Sequence, residues 1–332
     1  MSRRRVLSGI QPTGSGFHLG NYLGAVRHWA AMQGENECFY FLADLHALSA
    51  TVPPAPEDLR RQTMESAALL IALGVDPEAS TLFVQSHVQE HAELAWVLGC
   101  LTGFGEASRM TQFKEKGGGT VGLFTYPVLQ AADILMYQAD AVPIGEDQRQ
   151  HLELTRDLAQ RFNSRYGETF RMPAAYAGKA AERIKDLQDP SRKMSKSIGG
   201  NGTVWVRDEP AVVTKKVRSA VTDAGREVMF DLENKPGVSN LLTILGEVTG
   251  KAVPELQDAY AGKGYGDFKG DVAEAVVELF RPVRERFEEL MSDQAGLQAV
   301  LADGAARAGA VAAETMATAR ERIGLLAPRP RG

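Results

Sequence analysis

Apolar residues divide the chain into a first half that alternates strand-like and helix-like segments and a second half that is helical. Val6–Ile10 is a short apolar run ending in a turn. Residues 19–32 follow with Tyr22, Val26 and Trp29 at helical spacing. Cys38–Ala43 is dense in apolar residues and predicts a strand. Glu57 to Leu73 predicts a helix that opens after Pro53, Pro54 and Pro56 and stops at Gly74; Thr81–Val84 predicts the next strand. Such alternation dictates a parallel, doubly wound sheet, whose ligands bind beyond the carboxyl ends of the strands. Tyr126 to Tyr137 predicts a helix with Pro127 in its first turn, Ala139–Ile144 a strand, and Glu146–Phe162 an amphipathic helix with Leu154, Leu158 and Phe162 at i+4 spacing. After a last strand-like run at Thr203–Val206 the pattern is helical from Glu209 onward. Loops are expected at Lys235–Gly237 and Gly262–Gly266, and an alanine-rich helix from Gln294 to Ile323. The expected class is α/β followed by a mainly helical domain, divided as residues 1–205 and 206–332.

Composition narrows this only a little. A chain of 332 residues supports a large core and roughly two domains, and 44% hydrophobic with 24% charged residues is globular. No apolar run approaches the ~18 residues that span a bilayer, so no membrane attachment is expected. Met1 to Arg5 is basic, but the segment after it breaks at Gln11, Pro12 and Gly14 and reads as strand and loop rather than a secretory leader. Cys38 and Cys100 are the only cysteines, which gives neither a disulfide framework nor metal spacing. The expectation is therefore a cytoplasmic protein without a protein-bound metal cluster. The net charge of −5 argues against a surface coated in positive charge, while a local phosphate-binding patch stays compatible with it.

Four places carry candidate chemistry. Between Val6–Ile10 and the helix at Gly20–Asn21 lies a loop with Gly14 and Gly16, with His18 just before the helix. Glycines there let backbone approach a nucleotide, and free N–H groups at the helix start attract phosphate. An ordinary strand-to-helix turn with a capping residue fits it too. Lys193-Met194-Ser195-Lys196-Ser197, followed by Gly199, Gly200 and Gly202, offers lysines to a triphosphate; a solvated basic loop is the plainer alternative. On the helix from Tyr126, residues Tyr126, Gln130, Asp133 and Tyr137 share one stripe amid apolar or small neighbours. A buried carboxylate needs a donor, either from the protein, such as an arginine or a backbone N–H, or from a ligand. Finally, Gly145-Glu146-Asp147-Gln148 joins a strand to a helix, where Asp147 is a helix cap or a ligand contact. Asp44 and His46 end Cys38–Ala43 at the same sheet edge.

In order and separation, the first two places resemble the paired motifs of class I aminoacyl-tRNA synthetases. His18-Leu19-Gly20-Asn21 stands for the HIGH motif with asparagine in its last position, and Lys193–Ser197 matches the KMSKS motif letter for letter. Ser8-Gly9-Ile10-Gln11-Pro12-Thr13-Gly14, Arg109-Met110-Thr111-Gln112-Phe113-Lys114, Ala131-Ala132-Asp133-Ile134-Leu135, Gly145-Glu146-Asp147-Gln148, Leu154-Thr155-Arg156-Asp157 and Lys235-Pro236-Gly237 look like the bacterial tryptophanyl-tRNA synthetases. The likeness runs from Ser8 to about Gly324.

The resemblance implies a Rossmann-like catalytic domain over 1–205, with dimer-interface helices around 90–140, and a helical anticodon-binding domain with its C-terminal helix over 206–332. It implies a homodimer, with L-tryptophan, tRNA(Trp) and ATP as partners, Mg2+ being carried by the nucleotide. ATP contacts fall by resemblance on Gln11, Pro12, Thr13, Gly20, Asn21, Gly145, Glu146, Asp147, Ile184, Lys193, Met194, Ser195, Lys196 and Ser197. Catalysis rests on Lys193, Lys196 and Lys116. Asp133 is implied to accept the indole N–H, with Tyr126 and Gln148 on the amino group and His46 nearby. Gln130 and Leu7 complete the pocket where other members carry methionine and an aromatic residue. The expected reaction needs no side-chain nucleophile: positioning and charge stabilisation carry both adenylate formation and transfer to tRNA. Rival readings are a tyrosyl-tRNA synthetase, a nucleotidyltransferase with a similar phosphate loop, and a paralogue that has lost catalysis.

Overall fold

The computed structural model describes residues 3–12, 16–110, 119–145, 148–176, 184–195 and 200–326. Five strands form one parallel sheet: β1 (Arg5–Ile10), β2 (Glu37–Leu42), β3 (Thr81–Val84), β4 (Ala141–Val142) and β5 (Ala174–Ala175), in the order β3-β2-β1-β4-β5. Between β1 and β2 runs α1, residues 19–32, which is α-helical at both ends and π-helical over Tyr22–Val26. Next come α2 (Asp44–Ala47) and α3 (Pro56–Ala72), and then, between β3 and β4, α4 (Glu90–Gly99), α5 (Phe104–Ser108) and α6 (Val121–Met136). Helix α7 (Arg149–Tyr166) links β4 to β5. The second half holds α8 (Pro210–Arg218), α9 (Pro236–Thr249), α10 (Val253–Ala259), α11 (Tyr265–Ser292) and α12 (Gln294–Ile323).

The strands are apolar on both sides because both sides are covered. With a side-chain period of two, Val6, Cys38, Tyr40, Leu42, Leu82 and Val84 enter one apolar cluster, while Leu7, Phe39, Phe41 and Phe83 enter the other. Gly9 on β1 makes room for the Phe41 ring: a Cβ there would stand 2.3 Å from Phe41 Cζ. The first cluster continues into the helical half through Val213, Leu241, Phe268 and Phe280, so the two halves share a core.

Helix α12 returns to the sheet and crosses its edge at β3. Leu297 and Leu301 join the cluster on one face, and Ala308, Ala312, Met316 and Ala319 join that on the other. At the crossing sits Gly304, where a Cβ would lie 1.8 Å from the Leu82 carbonyl oxygen. Only glycine lets a helix approach a strand backbone this closely. Arg320 near the helix end donates from Nε to Glu93 of α4 at 2.7 Å.

Several sequence expectations need correction. The strand expected over Ala139–Ile144 has just two residues, because Pro143 has no N–H to give a ladder. The helix expected over Glu146–Phe162 is described from Arg149 and runs on to Tyr166, where Gly167 at φ 102° ends it. Thr203–Val206 is not a strand; Trp205 makes one isolated antiparallel bridge to His18. Ala174–Ala175 is a strand that the sequence did not suggest, since two alanines carry no apolar alternation. Lys235–Gly237 is a helix start, not a loop: Pro236 occupies a first-turn position of α9, and a Cβ on Gly237 would meet the Val221 carbonyl oxygen at 2.0 Å.

Candidate active site

The expected amino-acid pocket gathers around α6. Its apolar sides pack into the core, which forces Asp133 inside at 1% exposure. The carboxylate receives three donors from the segments that follow β2 and β3. His46 Nε2 lies 2.7 Å from Oδ2, Gln85 Nε2 donates to Oδ1 at 2.7 Å, and His91 Nδ1 lies 2.6 Å from Oδ1. None is the arginine or backbone N–H that would have been the simplest partner. Burial pushes the Asp133 carboxyl up, but the charge and hydrogen bonds of His46 and His91 outweigh it and hold the group at about 2. The acid is therefore ionised at neutral pH, and a carboxylate offers about four acceptor sites. Among the described residues three are used, so Oδ2 retains capacity for one further donor.

Around this anchor the other expected residues are linked in pairs. The Tyr126 hydroxyl sits 2.8 Å from His151 Nε2, and its ring stands edge-on to His46 with centroids 6.3 Å apart. Gln130 Nε2 donates to Gln148 Oε1 at 3.1 Å. Leu7 is buried on β1 in the cluster that holds Ala131, Ala132 and Ile134 of α6. Asp44 accepts from the N–H groups of Leu45 and Ser86, each at 3.0 Å, which ties the end of β2 to the end of β3.

Sequence reasoning missed Gln85, His91 and His151. Gln85 obeys the rule that singled out Asp44 and His46, namely polar residues just past a strand end, whereas His91 lies inside the next helix. They went unnoticed because Gln85 reads as a turn residue and His91 as part of a helix.

The expected nucleotide end is built differently. His18 caps α1 through its ring: the Asn21 N–H donates to Nδ1 at 3.1 Å, and the His18 N–H donates to Asn21 Oδ1 at 3.3 Å. The capping alternative is thus realised, and it employs both polar residues of the motif. Gly20 is squeezed between the motifs, since a Cβ on it would lie 3.2 Å from His18 Nδ1 and 3.5 Å from Met194 Cβ. The two motifs, far apart in sequence, therefore meet. The segment after the lysine motif straps them together, as Leu19 N–H donates to Val204 at 2.8 Å and Val206 N–H to Phe17 at 2.9 Å. Thr203 Oγ1 reaches the Ser195 carbonyl at 3.3 Å. Ile184 and Met194 have buried side chains and join through the Met194 N–H and the Ile184 carbonyl at 3.0 Å, whereas Lys193 is exposed. Buried Lys216 supports the strap by donating to the Thr203 carbonyl at 2.8 Å and to Asp208 Oδ2 at 2.6 Å; that oxygen also accepts the Trp205 N–H.

Gln11 and Pro12 follow β1, Gln11 exposed and Pro12 buried, and the Gly145 carbonyl accepts the Gln148 N–H at 3.0 Å. Thr13, Lys116, Glu146, Asp147, Lys196 and Ser197 lie outside the described residues, as do Thr111 to Lys114. Among the described residues no group of three or more His, Cys, Asp or Glu is arranged to hold a metal, and no helix is long and apolar enough to cross a membrane.

Comparison with known proteins agrees along the whole chain. A family described as class I tRNA synthetases (W and Y) matches residues 1–281. A tryptophan–tRNA ligase of Streptomyces avermitilis, designated 2, is 58% identical over 98% of both chains; that of Corynebacterium efficiens is 55% identical over 98% of this chain and 96% of its own. The crystal structure of the tryptophanyl-tRNA synthetase of Campylobacter jejuni with ADP and tryptophan superposes with a TM-score of 0.85 at 36% identity, covering 97% of this chain and 100% of the other. The chain thus belongs to the class I tRNA synthetases of the tryptophan and tyrosine branch, and its whole-length relatives are tryptophan–tRNA ligases.

Proposed function

We infer that the protein activates L-tryptophan with ATP, giving tryptophanyl-adenylate and pyrophosphate, and passes the tryptophan to tRNA(Trp) with release of AMP. The observation that carries this reading is Asp133, a buried ionised carboxylate with one acceptor site left on Oδ2. The indole N–H supplies the missing donor, with Tyr126 and Gln148 at the amino group and His46, Gln130 and Leu7 lining the pocket. Relatives of the same length that are named tryptophan–tRNA ligases support it.

In this reading the tryptophan carboxylate attacks the α-phosphorus of ATP and pyrophosphate leaves in line. Gln11, Pro12, Thr13, Gly20, Asn21, Gly145, Glu146, Asp147, Ile184 and residues 193–197 surround the nucleotide. Ile184 and Met194 contribute through their backbone, since their side chains are in the core. Lys116, Lys193 and Lys196 meet the charge that grows on the departing pyrophosphate. Mg2+ arrives on the phosphates. A ribose hydroxyl of the terminal adenosine then attacks the aminoacyl carbonyl. Residues 1–205 form the catalytic unit and 206–332 the helical unit that meets the anticodon, and the protein works in the cytoplasm. Pyrophosphate–ATP exchange with each of the twenty amino acids tests the reading, and exchange driven by tyrosine instead of tryptophan would overturn it.

The working form is a homodimer. Trp96 on α4, Phe104 on α5 and Val121 on α6 are 75%, 79% and 78% exposed, and the Phe104 and Phe124 rings lie 5.2 Å apart. Large apolar side chains gathered in the open mark an association surface. Light scattering at micromolar concentration should give twice the chain mass of 36.0 kDa, and the single-chain mass would refute the dimer.

A further inference from the structure

His91, the second residue of α4, is 0% exposed and uses both ring nitrogens. Nδ1 lies 2.6 Å from Asp133 Oδ1, and Nε2 lies 2.7 Å from the Tyr137 hydroxyl. An ionised carboxylate only accepts, so Nδ1 carries a hydrogen. Nε2 meets the Tyr137 O–H, which holds the ring from its other side. Burial, with the Asp133 charge second, pushes the Tyr137 hydroxyl up, so it keeps that hydrogen. The ring cannot tilt: Phe41, Phe83 and Tyr137 surround it with centroids 6.0, 6.1 and 5.4 Å away. Gln85 supplies the second donor on Oδ1, and its own Oε1 is buried without a partner, so nothing draws the amide away from the carboxylate.

We propose, resting on the reading of Asp133 as the indole acceptor, that His91 is a positioning residue for amino-acid selection. With Gln85 it fills Oδ1 and fixes the carboxylate plane, so that Oδ2 is the oxygen presented to the substrate N–H. His46 holds Oδ2 from one side and leaves the other for the ligand. A freely turning carboxylate would offer either oxygen at many angles and would reward the N–H less.

The test compares L-tryptophan with 3-(3-benzothienyl)-L-alanine, which keeps the bicyclic shape and replaces the N–H by sulfur. The readout is the ratio of kcat/KM for the two in pyrophosphate–ATP exchange. In His91→Phe this ratio should fall about 10- to 100-fold, the scale of one hydrogen bond to a charged group. His91→Asn can place an amide N–H near the former Nδ1, whereas the longer His91→Gln reaches toward Tyr137. The Asn variant should therefore keep a ratio about tenfold above the Gln variant, and that comparison decides the matter if His91→Phe does not fold. A purely structural role would lower both efficiencies together, and unchanged ratios in Phe, or equal ratios in Asn and Gln, overturn the proposal. Wild-type protein that takes both amino acids alike would remove the Asp133 reading and this proposal with it. A discriminating wild type with unmoved variants removes the proposal alone.

Discussion

On the proposed reading, the two ends of the site solve opposite problems with opposite materials. Around Asp133 the contacts run between buried side chains, and His91 is itself held by Tyr137. At the nucleotide end they run between backbone groups, Leu19 to Val204 and Val206 to Phe17, while Lys193 stands in solvent. Telling one amino acid from another by a single hydrogen bond demands an acceptor that cannot turn. Meeting charge as it develops on a leaving pyrophosphate demands donors that can come to it.

The comparison breaks most visibly at Asp133. Asp133→Ala should lower kcat/KM for tryptophan by up to about 10⁴ and narrow the gap to phenylalanine, because a site built around one hydrogen bond rejects unmatched analogues by that order. Asp133→Asn should be milder, as its amide oxygen still accepts. Exchange kinetics with tryptophan, tyrosine and phenylalanine check this, and unchanged discrimination in the Ala variant would leave specificity to pocket shape alone.

On the other side, Lys196→Ala should slow adenylate formation roughly a hundredfold and hardly touch tryptophan binding. Single-turnover assays separate the two, and a near-normal rate would remove this lysine from the mechanism.

Asp208→Ala sharpens the contrast by cutting the strap without touching either motif. It strips a partner from buried Lys216 and from the Trp205 N–H. KM for ATP should rise about tenfold, the cost of about one such hydrogen bond, with KM for tryptophan unmoved. A parallel rise in both would show that the two ends are not independent.

The smallest effect concerns acid. Asp133 titrates at about 2 in the folded chain, below its ordinary 3.8, so its stabilisation is fully present above 3.8 and is lost as pH falls toward 2. That amounts to about 2 kcal/mol. Denaturant unfolding across this window should show Asp133→Asn with a flatter pH slope than the wild type; equal slopes would mean the folded carboxyl is not depressed.

Much of this architecture is legible in the chain. Helix α12 and β3 have the bounds that their patterns predict, and β1, β2 and α3 differ from expectation by a residue at their ends. Periodicity works there because burial is continuous. It fails at β4 and β5, two residues each, whose place is set by neighbours such as the Val142 carbonyl that accepts the Tyr176 N–H at 2.8 Å. At the site, Asp133 stands out as one carboxylate in an apolar helix, but of its partners only His46 does. Gln85 and His91 lie 48 and 42 positions away in sequence and become neighbours only through the crossing of β3 and α4 over α6. His18, whose role the motif leaves open, caps a helix through its ring Nδ1.

Gly304 and its helix bear on how the chain is made. Ribosomes deliver residues in order, so β3 is finished more than two hundred residues before α12, which starts at Gln294, emerges to close over it. Throughout that interval the outer rim of the sheet has no cover, and an open rim invites pairing with another nascent chain. The seat at Leu82 accepts only a residue without a side chain, so any substitution at Gly304 would leave the rim open in the finished protein as well. Its penalty would therefore appear first as lost soluble yield during synthesis, before any change in the catalytic constants of the molecules that do mature.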